Sequence, residues 1–282
     1  MNYDKIINDT VIFVKNTLQN AEGGHDWWHI YRVWKNAKLI ASTVNVDLLI
    51  VELGALLHDI ADSKFNNGDE LIGAKIAKKF LELQNLDSDK ILHIVKIIEN
   101  ISFKGGKEIQ KFNSPELDVI QDADRLDAIG AIGIARAFNY GGFKNREIFN
   151  PNIHPNFNMT KEEYKNSSAP TINHFYEKLL LLKDKMNTET GKFMAKERHK
   201  FMEEYLSQFY KECGFDSAQP SFDVWFSDWI SLFLFNLNFI SILMWLKLKR
   251  FFILKGGWAE SKPRYLISFE HFCFWNDFHF YI

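Results

Sequence analysis

Apolar residues recur every three or four positions along most of the chain, which is the spacing that places them on one face of a helix. This pattern predicts helices over residues 6–18, 30–41, 70–83, 88–98, 114–130, 171–186 and 189–213. No sustained alternation of apolar and polar residues, which would indicate strands, occurs before residue 214. We therefore expect an all-α body.

An almost unbroken apolar run begins at Val46 and ends in the adjacent pair His58-Asp59. Because the run leaves no polar stripe for water, it predicts a helix that is buried on most of its faces. The negative end of the helix dipole opposes a carboxylate at that position, whereas a bound cation would favour it. A salt bridge with a hydrogen-bonded core histidine would also explain the pair, so the pair alone does not establish a metal site.

A second histidine lies upstream, after a Gly-Gly break. Asp26 precedes an apolar-periodic segment and is predicted to be its N-cap, which puts His29 in the first helical turn. The positive end of the helix dipole favours a neutral imidazole there, as a metal ligand must be. Without a metal, His29 would be an ordinary histidine near a helix cap.

Three aspartates share one short downstream helix, namely Asp122, Asp124 and Asp127. Asp124 and Asp127 fall on one face of that helix, where they could also be only a solvated stripe. Together with His29 and the His58-Asp59 pair, they provide the nitrogen and oxygen ligands that suit a divalent transition metal.

His29, His58-Asp59 and Asp124 resemble the H…HD…D signature of the HD superfamily of metal-dependent phosphohydrolases. Four separated segments are similar, in order and spacing, to bacterial stand-alone HD hydrolases, including nucleoside triphosphate pyrophosphohydrolases: residues 24–33, 55–65, 121–130 and 171–179. The resemblance covers roughly residues 1–213. It implies an HD-domain helical bundle that binds one divalent ion through His29, His58, Asp59 and Asp124. Mn²⁺ is the expected ion, with Co²⁺, Ni²⁺, Mg²⁺ or Fe²⁺ as alternatives.

The resemblance also implies catalytic roles close to the second motif. Asp62 would orient or deprotonate the metal-bound water, although an aspartate bonded to Ser63 at the helix end is an alternative. Lys64 and Arg32 are candidates to hold phosphate oxygens, Arg32 through its bidentate fork and Lys64 as a point charge. We expect His25 to support the ligands from behind rather than to bind the metal.

Further substrate contacts are expected in two loops. Lys104 and Lys107 flank two glycines and could bind a triphosphate tail, unless they form only a solvated turn. Residues 139–170 are rich in Gly, Pro and Asn and predict a long surface segment, which could act as a lid over the site. His154 lies in this segment and is a candidate for substrate binding.

Composition and charge indicate which partners and which cellular location to expect. The formal net charge of −2 gives no electrostatic reason to expect nucleic acid as a partner. The two cysteines have no metal-finger spacing and fit a reducing cytosol. The polar start of the chain lacks the pattern of a signal peptide. A cytoplasmic protein with a small-molecule nucleotide substrate is therefore expected, with a homodimer left open.

The pattern changes after residue 213, and residues 214–282 form a hydrophobic, aromatic-rich extension of unknown role. Its uncharged run over residues 230–246 is long enough to cross a bilayer and is followed by basic residues. One interpretation is a C-terminal membrane anchor. We favour the other, an accessory tail, because residues 1–213 already contain every motif.

The expected function is metal-dependent hydrolysis of (deoxy)nucleoside triphosphates to monophosphate and pyrophosphate. Phosphodiesterase or 5′-nucleotidase action at the same site is an alternative. A non-catalytic, membrane-tethered nucleotide-binding module is another. Two histidines and two aspartates argue against a purely structural metal, because structural sites are normally closed and rich in thiolates.

Overall fold

The computed structural model describes residues 3–19, 24–61, 69, 71–101, 112–160, 163 and 166–215. Across these residues the regular secondary structure is helical, as the apolar periodicity predicts. The α-helices are α1 (Tyr3–Thr17), α2 (Trp27–Ala41), α3 (Leu48–Leu57), α4 (Ile72–Leu83), α5 (Ser88–Asn100), α6 (Pro115–Asp127), α7 (Gly130–Phe143), α8 (Asn173–Glu177) and α9 (Glu189–Glu212). A 3₁₀ helix spans Leu179–Lys185. The prediction of an all-α body is confirmed.

Helix α3 lies at the centre of the core. Every residue from Leu49 to Leu57 is buried, and the helix packs against α1, α2, α5 and α6. Asp47 caps it by accepting hydrogen bonds from the amides of Leu49 and Ile50, and His58 is its C-cap. The predicted buried helix therefore begins slightly later than Val46 and ends, as expected, at the His-Asp pair.

The one buried carboxylate within α3, Glu52, is fully paired with neighbouring helices. It accepts hydrogen bonds from the Tyr3 hydroxyl at 2.6 Å and from the Trp34 indole at 2.7 Å, and Lys38 Nζ lies 3.2 Å away. Burying a carboxylate is costly unless its charge and lone pairs are satisfied. These contacts let α3 remain buried on all sides.

The caps of α2 and α6 are the ones that the sequence predicts. The Asp26 carboxylate accepts from the His29 amide at 3.0 Å, and Ser114 Oγ accepts from the Leu117 amide at 3.1 Å, with Pro115 opening α6. Helix α2 packs against both α3 and α6. The first turn of α2, the end of α3 and the last turns of α6 therefore meet.

The predicted surface segment over residues 139–170 starts five residues too early, because α7 continues to Phe143. Residues 139–143 form the last turns of α7, and Gly141 is buried. A Cβ atom at this position would lie 2.1 Å from Thr171 Oγ1, so the glycine serves close packing rather than a loop. The described residues from 144 to 160 and from 167 to 170 form the irregular segment.

The prediction of one helix from Thr171 to Met186 is wrong. Helix α8 ends at Glu177, and Lys178 (φ −144°, ψ −57°) separates it from the 3₁₀ helix. Leu179 and Leu182 are both buried. Their spacing of three residues suits a 3₁₀ helix, in which residues i and i+3 lie directly above each other.

Helix α9 spans the predicted residues. The sequence pattern also predicts an inner face that consists of Phe193, Met194, Phe201, Met202, Tyr205, Leu206 and Phe209, and of these Met202 and Leu206 are buried. Phe193 and Phe201 are instead 67% and 48% exposed. Gly191, Ala195 and Tyr210 complete the buried positions. Aromatic residues on both sides of the helix made the inner face ambiguous from sequence alone.

No helix among the described residues is both long enough and apolar enough to span a bilayer. The uncharged run over residues 230–246 lies outside the described residues, as does the rest of the extension beyond residue 215. Its two interpretations, and the division at residue 213, stay predictions.

Candidate metal centre

The four predicted ligands come from the ends of three helices. His29 lies in the first turn of α2, His58 and Asp59 follow the last residue of α3, and Asp124 lies near the end of α6. These positions converge because α2 packs against both other helices. His29 and His58 are buried, whereas Asp124 is 39% exposed.

The potential ligand atoms lie close enough to share one ion. His29, His58 and Asp59 each offer an atom within 4.8 Å of the other two. Asp124 Oδ1 lies 3.6 Å from His29 Nε2 and 3.9 Å from His58 Nε2. Ligands about 2.0–2.3 Å from a common transition metal are separated by comparable distances. The donor set of two imidazoles and two carboxylates therefore fits a divalent ion.

The His58 ring is oriented by the helix that it ends. Its Nδ1 donates a hydrogen bond to the Ala55 carbonyl at 2.8 Å, so Nε2 carries the free lone pair. Complete burial lowers the pKa of His58, and the nearby Asp124 carboxylate only partly offsets this effect. The ring is therefore neutral at physiological pH, as a metal ligand requires.

The His29 ring is held in the same way by a side chain from α6. Its Nδ1 donates to Asp127 Oδ2 at 2.8 Å, while Nε2 lies 3.3 Å from His58 Nε2. Two imidazole nitrogens at this distance need a proton or a cation between them, because each presents a lone pair. A carboxylate behind a histidine fixes its tautomer and makes it a better ligand.

Asp127 is itself held by two arginines. Arg32 donates from Nε to Oδ1 at 2.6 Å and from Nη2 to Oδ2 at 3.0 Å, and Arg136 donates from Nη1 to Oδ2 at 2.8 Å. Burial alone would raise the pKa of Asp127, but the hydrogen bonds from His29 and Arg32 outweigh it and lower that pKa. Asp127 therefore remains ionised although its side chain is almost fully buried.

Asp59 has its own supporting histidine. His25 Nδ1 lies 2.5 Å from Asp59 Oδ2, the contact expected of a residue that supports a ligand from behind. Burial raises the pKa of Asp59, but this hydrogen bond and the nearby histidines have the larger, opposite effect, so the net result is a lowered pKa. The carboxylate is therefore charged and oriented.

Comparisons with known proteins agree with this geometry. Residues 27–129 match the family model described as the HD domain. The YpgQ protein of Bacillus subtilis is 36% identical over 212 residues, which are 74% of this chain and 94% of YpgQ. The chain belongs to the HD superfamily. It is a metal-dependent phosphohydrolase, and HD domains bind divalent metal ions.

Solved structures of related proteins have the same fold. An HD-superfamily hydrolase from Bacillus thuringiensis is 39% identical with a TM-score of 0.61, and the match covers 76% of this chain and 99% of that one. The Bacillus subtilis YpgQ structure in complex with ADP is 34% identical with a TM-score of 0.60 and coverages of 75% and 97%.

The other predicted residues of this HD hydrolase divide into two groups. Asp62, Lys64, Lys104 and Lys107 lie outside the described residues, and their roles stay predictions. Arg32 and His154 are described. Arg32 donates to Asp127 from Nε and Nη2, so a contact with phosphate would use the N–H groups that remain on Nη1 and Nη2. Such a contact is compatible with the predicted substrate role, which stays a prediction.

His154 is exposed in the segment between α7 and α8. The segment is tied to α8 on either side of it, because Asn173 donates to the Ile153 carbonyl at 3.0 Å and the Asn156 amide donates to Glu177 at 3.0 Å. The predicted contact of His154 with substrate remains a prediction.

Sequence reasoning assigned no specific role to three charged residues near the centre of this HD hydrolase. They are Asp127 and Arg136 behind His29, and Lys178 at the end of α8. Burial lowers the pKa of Lys178, Asp124 raises it and Arg136 lowers it, so Lys178 lies within electrostatic range of both Asp124 and Arg136. Asp127 shares a predicted face with Asp124, which was the available signal, whereas nothing in the sequence near Arg136 or Lys178 indicates their partners.

A separate cavity of about 460 Å³ adjoins the ion pair between Arg32 and Asp127. Arg32, Asp127, Arg198 and Phe201 are among its lining residues, but none of the four predicted ligands is. This cavity is therefore distinct from the metal centre.

Proposed function

We propose that this HD hydrolase acts on nucleotides and cleaves nucleoside triphosphates to monophosphate and pyrophosphate with one Mn²⁺ ion. The observation that carries the proposal is the pair of imidazole nitrogens, His29 Nε2 and His58 Nε2, that face each other beside Asp59 and Asp124. The relative YpgQ has been crystallised with ADP, which supports a nucleotide as ligand.

The ligand residues would hold the ion as two neutral imidazoles and two carboxylates, which leaves coordination positions for water and a phosphate oxygen. A bound divalent ion supplies a water of lowered pKa and neutralises charge that develops on the phosphoryl group. Mixed imidazole and carboxylate ligands suit Mn²⁺, although they also bind other divalent ions.

Residues of the chain itself would position the reactants. Asp62, in our proposal, accepts a proton from the attacking water, and Lys64 with Lys104 and Lys107 binds the phosphate chain. Among the described residues we propose that Lys178 contributes positive charge to the phosphate site, because Asp124 raises its pKa against the effect of burial.

We also propose a cytoplasmic location, which fits a nucleotide substrate. The proposed hydrolysis does not depend on the extension beyond residue 215, whose role is a separate prediction.

The test is a screen of nucleoside mono-, di- and triphosphates with Mn²⁺, Co²⁺ and Mg²⁺, in which pyrophosphate and orthophosphate are measured separately. We expect pyrophosphate from triphosphates and the highest rate with Mn²⁺. Release of orthophosphate from monophosphates would instead identify a 5′-nucleotidase. Absence of turnover with every nucleotide and metal would contradict the proposal.

The same assay tests the role of Asp62. We expect Asp62→Asn to retain the metal but to lose roughly 10²–10⁴-fold in kcat, the range typical of a positioned acid or base. Turnover at the wild-type rate would return Asp62 to the alternative role at the helix end.

A further inference from the structure

Helix α7 supplies none of the predicted ligands, yet one of its side chains reaches behind two of them. Arg136 Nη1 donates to Asp127 Oδ2 at 2.8 Å and to the Asp127 carbonyl at 3.3 Å. Its Nη2 donates to the Gly24 carbonyl at 2.7 Å. A single guanidinium therefore joins the end of α6 to the segment that enters α2.

The first branch of these contacts leads to His29. Asp127 Oδ2 accepts from both His29 Nδ1 and Arg136 Nη1, each at 2.8 Å. The Asp127 side chain is 1% exposed, so its charge depends on the arginines for compensation. Loss of Arg136 would weaken the hold of Asp127 on the ring whose other nitrogen faces the ligand cluster.

The second branch leads to Asp59. Gly24 has φ of +117°, and His25 follows it directly with its Nδ1 2.5 Å from Asp59 Oδ2. An ideal Cβ at Gly24 would lie 4.0 Å from Arg136 Nε, which shows how closely the arginine covers this turn. The bond to the Gly24 carbonyl fixes the turn from which His25 reaches its partner.

We infer that Arg136 is a positioning residue that holds two metal ligands at once, His29 through Asp127 and Asp59 through the Gly24-His25 turn. This inference rests on the proposed metal-dependent function. Arg32 differs from Arg136 in an instructive way: it bonds the same carboxylate but makes none of the described hydrogen bonds to the turn. Arg136 therefore acts on both branches, and Arg32 on one.

The test measures metal binding directly, by titrating Mn²⁺ into the metal-free full chain in a calorimeter. We expect Arg136→Gln to weaken Mn²⁺ binding by about 10–100-fold, the range seen when residues behind metal ligands are replaced. Arg136→Lys keeps the charge but replaces the two donating nitrogens, Nη1 and Nη2, by one ammonium group, so we expect a smaller loss. The lysine variant also keeps the test decisive if Arg136→Gln reduces the folded fraction.

Arg125→Gln is the matched control. Arg125 donates to the Lys185 carbonyl at 2.6 Å and to Gln121 at 3.2 Å, and none of its hydrogen-bond partners is a predicted ligand. We expect the Mn²⁺ affinity of this variant to be within about twofold of the wild-type value, even if its thermal stability is lower. Equal weakening in Arg125→Gln, or wild-type affinity in Arg136→Gln, would overturn the inference.

A double variant separates the two branches. In an Asp127→Asn background, Arg136→Gln should still weaken Mn²⁺ binding, because the branch through Gly24 remains. No further loss would mean that Arg136 acts only through Asp127 and would overturn the two-branch inference. If the wild type bound Mn²⁺ but hydrolysed no nucleotide, the proposed function would fail while this inference stood. If the wild type bound no Mn²⁺, both would fail.

Discussion

Two carboxylates on α6, Asp122 and Asp127, are equally buried but accept hydrogen bonds from different kinds of donor. Asp122 accepts hydrogen bonds from the amides of Asn187 and Thr188 at 2.8 and 2.7 Å, and from Thr188 Oγ1 at 2.8 Å. Asp127 accepts from His29, Arg32 and Arg136. Arg125 Nη1 also donates to Asp122, at 3.4 Å. The partners of Asp122 thus include two backbone amides at the start of α9, whereas the donors to the Asp127 carboxylate are all side chains.

This difference separates a contact that maintains the fold from one that serves the site. Thr188 caps α9 by accepting from the Gly191 amide at 3.0 Å, and Asp122 holds this cap against α6. A Cβ at position 191 would lie 2.4 Å from Asp122 Oδ2, so the glycine makes room for the carboxylate. The network of Asp127 instead continues through the His29 ring toward the ligand atoms.

The largest effect is expected from removing a ligand rather than either buried aspartate. Asp124→Ala should abolish tight Mn²⁺ binding and lower hydrolysis by roughly 10³-fold or more, because a bound metal supplies several kcal/mol of transition-state stabilisation. Without metal, the variant should be about as stable as the metal-free wild type, because metal binding itself adds stability to the folded state. Calorimetry, a hydrolysis assay and thermal unfolding measure these outcomes. Asp118→Ala, on the same helix, is the control and should keep its activity.

The next effect concerns Asp122 and the stability of the fold. Asp122→Ala should lower the free energy of unfolding by about 3–5 kcal/mol, since it leaves two amides, a hydroxyl and Arg125 without their buried acceptor. Urea unfolding of the metal-free chain measures this change. The molecules that remain folded should bind Mn²⁺ normally. A loss of affinity in this folded fraction would contradict the division between the two carboxylates.

Asp127→Asn should show the opposite pattern. The amide keeps the size of the side chain but loses the charge that orients His29 and balances two arginines, so Mn²⁺ binding should weaken about 10–100-fold. Asp122→Asn is the matched variant on the same helix and should leave the affinity within about twofold. If the two substitutions weakened binding equally, both carboxylates would belong to the site.

The last effect, which is small over any single pH unit, is a pH dependence of stability that comes from His174. Burial and the nearby cations Lys178 and Arg146 lower the pKa of His174 to about 3, from an ordinary value of 6.5. The unfolded chain therefore binds a proton between pH 6.5 and 3 that the folded chain does not. Stability should fall by up to about 1.4 kcal/mol per pH unit as the pH drops through this window.

Urea unfolding at several pH values measures this dependence, and His174→Gln should reduce the slope by the contribution of one proton. Asp122→Asn should leave the part of the slope that comes from His174. An unchanged slope in His174→Gln would show that this histidine takes up its proton in the folded protein as readily as in the unfolded chain.

Local signals made much of the fold predictable. The caps Asp26 and Ser114 bond amides three residues away, and the burial of α3 follows from an apolar run of adjacent residues. The break after α8 and the end of α7 were missed because they depend on packing between distant segments. Gly141 lies within α7 and packs closely against Thr171, and no residue near it in the sequence indicates that contact.

Short segments of the sequence are enough to predict the helical class, the buried helix that ends at His58 and the four residues that we propose as metal ligands. They are enough because caps, apolar periodicity and the His-Asp pair are local properties of the chain. The packing of distant helices determines the rest, namely that Asp122 holds α9 while Asp127 holds His29, and that Arg136 bonds Gly24. These partners are separated by 66, 98 and 112 positions, and helical periodicity gives the face on which a side chain lies but not the residue that it meets.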